Sequence, residues 1–487
     1  MRKDIYDLSG GMNAQVSPLF IRDNECEIVQ NYHMDKLGSL KKRDGILYLI
    51  GQVIDAKPIL GMFFFKDVQS TKTNVLVAID DASSTNSDIF DIETNAWAIS
   101  KADDTAGASP AFTSFVNYVF RTNGSEVMGS STNPPSAWGT TNCLATLKPK
   151  YCCVWEDRLY WLNDNSSTKY PSRIGWSELP TGTPLALTFG ANNWADVNPD
   201  DNDEITWGEP FGNRLLIFKN KALYRWTFGQ VEPDKIIDQG TPQGKTVKQV
   251  AGICFFSNEF GVWAYTEGQP KLISRKMQPF INAVTDWSAT LAEVDNDHYN
   301  LYLGDVTVDS TAYSNVMLVY TISIGAWHIE SYPFEITSMA RFQETTLGTT
   351  ELYDAIYIGD DDGFVYRKGT GTVDYLGTVA QPINGLIRGK EHPLNFPKPV
   401  KLKELYVVAQ QAGGAQVSTR IDRAQEFKPW GDLQERITEK ALAGRARTAQ
   451  IQITDNSETQ SQIEGYSIEF ITDEEKRRES ESVQDKN

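Results

Sequence analysis

Short apolar strands closing on Trp, Tyr or Phe alternate with polar turn clusters from about Ile54 to Gly369, a rhythm that predicts β-hairpins repeated along the chain. The pattern is plainest from Ile174 to Arg225, where I-G-W-S-E-L-P leads to D-D-N-D-E-I-T-W-G-E-P-F-G-N-R-L-L-I-F-K-N-K-A-L-Y-R. Leu215, Leu216, Ile217 and Phe218 form a run suited to a strand buried on both faces. Hairpins of the same design recur at Cys153–Trp161, Leu216–Tyr224 and Phe255–Trp263, each with a polar turn between apolar arms. A four-stranded unit of this kind cannot bury both faces alone, so its neighbours must stack around an axis.

The expected fold is therefore all-β, a β-propeller of about seven blades over 54–375. The candidate units are Pro58–Ser100, Pro110–Thr146, Lys150–Gly182, Glu204–Gly240, Thr246–Pro279, Thr290–Tyr332 and Phe334–Gly369. Residues 1–53 read as an entry segment, with a sharp turn at Gly10-Gly11 and a short helix expected over Arg22–Val29 from an Asp23 or Asn24 cap. Beyond Gly369 strict alternation, as in K-L-K-E-L-Y-V-V at 401–408 and E-G-Y-S-I-E-F-I at 464–471, predicts half-buried antiparallel strands and a C-terminal β-sandwich-like domain over 376–472. Residues 473–487 have no apolar face and read as a charged flexible tail.

Composition narrows the function. At 487 residues with 40% apolar and 11% aromatic residues the chain has the material for a large β-rich core. A net charge of −18 excludes a conventional nucleic-acid binder, which needs a basic face to displace counterions. Five scattered cysteines do not make a disulfide framework and read as buried free thiols of a protein assembled in a reducing cytoplasm. Four histidines (His33, His298, His328, His392), none paired at ligand spacing, argue against zinc. No signal peptide or membrane-spanning run is expected.

Candidate chemistry is sparse. Asp360-Asp361-Asp362-Gly363 reads as a tight turn before a strand rather than a calcium loop, and Asp200–Glu204 as a loop between blades with a weak claim to a cation. S-N-E-F-G-V-W at 257–263 is near an Asp-box turn but lacks its Asp and its spacing, and nothing places two carboxylates across a sugar. Lys41-Lys42-Arg43 reads as a solvated strand end, and Trp155, Trp161, Trp176, Trp207 and Trp226 as blade packing. No catalytic residue, cofactor or metal is expected.

Two groups of residues carry a resemblance. The opening has a G-G-x-N turn (Gly10, Gly11, Asn13), an aromatic after Asn31, and G-x-L-x-x-R-x-G through Gly38, Arg43 and Gly45. The central block has W-S at Trp176-Ser177, D-x-D-x-I-T through Asp203, Ile205 and Thr206, and L-x-x-F-K-x-x-x-L-Y through Phe218, Lys219, Leu223 and Tyr224. In this order they resemble the tail nozzle proteins of short-tailed bacteriophages, also called tail tubular or packaged-DNA stabilisation proteins. The resemblance implies a virion structural protein, assembled in the host cytoplasm, that forms a homo-oligomeric ring (a hexamer) below the portal and its adaptor. Tail fibres or spikes would be further partners. Double-stranded DNA would be retained and then ejected through the ring without sequence-specific contact and without stable membrane insertion. The Pro-rich 391–399 and Gly369–Gly377 are the loops expected to gate it. A tail-associated propeller that binds a receptor or glycan is the alternative. A cellular WD or kelch scaffold is disfavoured, because its regular dipeptides are missing.

Overall fold

The computed structural model describes residues 1–472 except 37, 54, 67–72, 94–95, 132–137, 145, 182–185, 346–351, 396–397 and 443, so the expected tail at 473–487 lies outside the described residues. Strands dominate; among the described residues the one α-helix is Gln278–Asn282. Six four-stranded antiparallel units form the blades of a β-propeller. Their first strands are Ile59–Lys66, Pro149–Trp155, Ile205–Phe211, Lys248–Val250, Leu291–Val294 and Ile336–Thr345. A three-stranded sheet, Ala111–Phe115, Tyr118–Thr122 and Gly129–Ser131, stands between the first blade and the second.

Successive sheets are glued by apolar clusters drawn from both neighbours, as stacking of two-faced sheets requires. Phe65, Leu76 and Ile89 meet Val119; Phe120 meets Cys152 and Leu159; Tyr160 and Ile174 meet Leu215 and Trp226. Leu216 and Phe218 meet Cys254 and Phe256. The last blade returns to the first through Ile59, Val77, Ala355 and Tyr357, with Phe64 and Phe342 stacked at 4.6 Å.

Ring closure uses the N-terminal segment. Ile46–Tyr48 supplies the outer strand of the last blade, in register Tyr366↔Tyr48 and Lys368↔Ile46. The rest of residues 1–53 is woven into two large sheets with the C-terminal strands. One carries Arg2–Ile5, Tyr32–Lys36 and Ser39–Lys42 with Val400–Gln411 and Gln462–Ile471. The other runs from the fifth blade through Ala326–Ser331 into Glu25–Gln30, Gly385–Pro393 and Thr448–Asp455. Val29, Leu40, Leu405, Val407, Ile453 and Ile468 share one core between them.

Three sequence expectations change. The helix expected over Arg22–Val29 is the strand Glu25–Gln30, almost wholly buried and paired with Gly385–Pro393; tertiary pairing overrides a local cap signal here. Lys42 and Arg43 are not a solvated strand end but are 1% and 2% exposed, held by Asp455 and Asp374. The entry and C-terminal segments do not stand apart, because strands of both share the same ladders.

Candidate functional site

The central block folds around one buried ammonium. Lys219, fully buried on the second strand of its blade, donates to Asp201 Oδ1 and Oδ2 at 2.8 and 2.9 Å, to Ser172 Oγ at 3.1 Å and to the Asn198 carbonyl at 3.0 Å. Asp203 accepts from the backbone and side chain of Asn220 and from the Lys221 backbone. Tyr224 closes the group by donating to Asp201 at 3.4 Å. The acidic loop thus holds a lysine where the sequence suggested a weak cation. Burial works against the Asp201 carboxylate, but Lys219 and the Asp203 N–H outweigh it and leave the carboxyl below its ordinary value.

The other motif residues of this block build the blade. Ser177 Oγ accepts from the Leu159 N–H at 3.1 Å, and Thr206 Oγ1 donates to the Thr241 carbonyl at 2.8 Å. Ile205, Phe218 and Leu223 are fully buried. Trp176 packs 5.1 Å from Trp226, beside Trp155 and Tyr160.

The opening motif gathers at the junction of blade, strap and C-terminal sheet. Asn13 donates to Glu25, which pairs with Lys276 at 3.0 Å. Gly11, at φ +66°, leaves no room for a Cβ against the Trp327 carbonyl, and a Cβ on Gly45 would lie 1.8 Å from the Val373 carbonyl. Gly10 packs against Asn24, and Gly38 turns at φ +91°. Arg43 is the hub: Nε donates to Asn31 Oδ1 at 2.9 Å, the guanidinium grips Asp374 with both terminal nitrogens, and it lies over the Tyr332 ring. Asn31 itself is left-handed, φ 59°.

Beside this hub is a group that sequence spacing did not reveal. His33, His298 and His328 come together from three strands, His33 being 4.7 Å from His328 and 5.5 Å from His298 between ring centroids. Glu330, fully buried, hydrogen-bonds His33 Nε2 and Tyr332, with Lys368 Nζ 3.1 Å away. Burial of Glu330 is outweighed by Lys368 and His33, holding it well below the usual carboxylate range, while burial and the neighbouring His33 push His328 well down. H-I-E at 328–330 puts His328 and Glu330 two positions apart on one strand, hence on one side of the sheet; that alternation was the available signal.

A second polar feature lies where the first strands converge, a cavity of about 640 Å³. Lys245 reaches across it to the Leu60 carbonyl and Ser109, its pKa pushed down to about 8 by burial and Lys248. On the adjoining strand burial pushes Glu209 up to about 7. The acidic turn at Asp360 is closed by its own chain: the carboxylate accepts from the Asp362 and Phe364 N–H groups and from Tyr366.

No protein family and no curated protein matches the chain. Among solved structures, YCF48 bound to D1 peptide is similar over 69% of this chain and 98% of its own, at 10% identity and a TM-score of 0.40. The computationally designed Ika8 protein covers 66% and 99% and Sqt1 of Saccharomyces cerevisiae 67% and 99%, each again at 10% identity and TM-score 0.40.

Proposed function

We propose that this chain is the subunit of a tail nozzle: a virion protein forming a ring, a hexamer, below the portal and adaptor of a short-tailed phage. Packaged double-stranded DNA would be retained behind it and ejected through it. In this reading the three-stranded sheet at 111–131 counts as a seventh blade, and the strands of 376–472 together with those of the entry segment as one β domain beside the propeller. No catalytic chemistry is assigned. The observation that carries the reading is the use made of the opening motif. Asn31, Arg43 and Gly45 pin the N-terminal strands between the last blade and the C-terminal strands, giving a stiff one-piece unit of the kind a load-bearing ring wall needs.

The charge of −18 suits a wall that DNA slides past, since no counterion-release attraction holds it there. With a Debye length of ~8 Å at physiological salt, such charge acts only near contact, so retention must be steric. Gly369–Gly377 is the better of the two gate candidates, because it leads into a hairpin, Val373–Leu376 with Val379–Pro382, that presents Leu376 and Val379 to solvent while Asp374 is anchored by Arg43; residues 396–397 of the other lie outside the described residues.

The alternative, a receptor- or glycan-binding propeller, is disfavoured by the tryptophans. Trp155, Trp161 and Trp226 are buried, and Trp194, the one exposed Trp among the described residues, is covered on one face by Arg173.

Negative-stain microscopy of the purified chain, alone and with the portal and adaptor proteins encoded in the same genome, tests the proposal. A closed ring docked end-on to the adaptor is expected. Subunits that ignore the adaptor and bind host polysaccharide would replace the nozzle with the receptor-binding reading.

A further inference from the structure

The histidine cluster has the composition of a metal site. One ligand atom each from His33, His328 and Glu330 can be chosen so that all lie within 4.8 Å of one another. Two imidazoles and a carboxylate are a donor set that suits zinc and similar divalent transition metals. The three residues lie on strands: Tyr32–Lys36 for His33 and Ala326–Ser331 for the other two.

Two observations bear on whether the cluster is anything more than packing. First, His328 is fully buried, and neither of its ring nitrogens has a hydrogen-bond partner. A buried imidazole without a partner leaves its polar atoms desolvated with nothing in return, and native interiors rarely leave both nitrogens unpaired. A metal on one nitrogen would remove half of that deficit.

Second, the cavity against which the cluster sits, of about 240 Å³, is lined by four carboxylates (Asp44, Asp295, Glu330, Asp354) and two cations (Arg367, Lys368). Asp354 and Asp44 are paired with Arg341 and Lys41 at 3.8 and 3.9 Å, so the lining is close to neutral overall, and what it offers a cation is room beside the cluster.

We infer that His33, His328 and Glu330 bind one divalent transition metal of the zinc type, with a fourth position open toward the cavity beside His298, and that the metal clamps the N-terminal strap to the propeller. Binding requires two local changes. Lys368 must leave Glu330, which it can do while keeping its 2.9 Å hydrogen bond to Asn300 Oδ1. His33 must carry its proton on Nδ1, so that the metal replaces the hydrogen between Nε2 and Glu330. The rings then close slightly, since nitrogen ligands lie ~2.0–2.1 Å from zinc. This inference does not depend on the nozzle reading.

The test uses the full chain, stripped of metal and titrated with Co²⁺ and then Zn²⁺. One Co²⁺ per chain is expected, with visible d–d bands and no near-ultraviolet thiolate band, and Zn²⁺ should displace it. Zinc-edge X-ray absorption on wild-type protein should show imidazole and oxygen scattering without sulfur. His328→Gln should weaken binding by more than the ~10–100-fold that losing an outer-sphere hydrogen bond costs a metal site. Lys368→Met, which removes the competing ammonium, should tighten it. No stoichiometric binding by folded wild-type protein, a sulfur shell from any of the free cysteines, or affinity unchanged in a folded His328→Gln variant would each overturn the inference. Because the wild-type spectrum alone decides ligand type, the test survives a variant that fails to fold.

Discussion

Arg43 and Asp374, 331 positions apart in sequence, form a buried bidentate ion pair: Nη1 donates to Oδ1 at 2.8 Å and Nη2 to Oδ2. The side chains are 1% and 5% exposed. The pair ties the link between Ser39–Lys42 and the closing strand Ile46–Tyr48 to the hairpin of Val373–Leu376 and Val379–Pro382. Removing one partner strands the other's charge in a dry site, which costs about 3–5 kcal/mol. Asp374→Ala should therefore lower the unfolding free energy by that amount in a denaturant titration, and Arg43→Lys, which lacks the planar fork, should also destabilise. A loss below ~1 kcal/mol for Asp374→Ala would show that the junction does not rely on the pair.

Lys219 organises the acidic loop from the inside. Lys219→Met should leave Asp201 without its cation and free residues 198–204, seen as faster amide exchange there while the neighbouring blades keep their protection. The Asp201 carboxyl is lowered in the folded protein, so its contribution to stability is complete above its ordinary value of 3.8 and is lost as the pH falls through the lowered value. The acid limb of the stability curve should accordingly be shallower in Asp201→Asn.

Glu209 has the opposite sign. Its folded value is pushed up to about 7 from 4.5 by burial, against a hydrogen bond from Trp207 Nε1 at 3.0 Å. The folded chain therefore holds a proton there that the unfolded chain releases, and stability falls as the pH rises from about 4.5 to about 7. Glu209→Gln should be more stable than wild type at pH 8, by up to about 3 kcal/mol, with the difference vanishing near pH 4. Thermal melts at the two pH values decide it, and a constant difference would remove titration as its cause.

Gly45 and Gly107 separate steric from conformational demands on glycine. A Cβ at 45 would meet the Val373 carbonyl at 1.8 Å, whereas at Gly107, φ +70°, nothing lies within 4 Å. Gly45→Ala should cost about 3 kcal/mol or more, since backbone must move. Gly107→Ala should cost only the ~1–2 kcal/mol of a left-handed residue with a side chain. Equal losses on denaturation would mean that the strap yields at Gly45.

Much of the blade structure was legible because a β-strand's period is local. The run Leu215–Phe218 announced a strand covered on both faces, and it is fully buried between two neighbouring sheets. The turn at Asp360–Gly363 was legible for the same reason: its partners are two to six residues away. The helix expected at Arg22–Val29 failed where a short-range cap signal competed with a partner strand about 360 residues downstream.

What the sequence determined by itself was whatever rests on neighbours in the chain: the strand alternation, the turns, the all-β class and the buried runs. Tertiary structure alone decided which distant segments share a sheet. It joined Ile46–Tyr48 to the last blade and placed Arg43 on Asp374. It also brought His33 to His328 and Glu330, so that three histidines with no ligand spacing along the chain became one cluster. The reason is physical: a lone charged or imidazole side chain has the same local preferences whether it ends in water or in a core. Its environment is set by long-range strand pairing, which leaves no periodic mark on the residue itself.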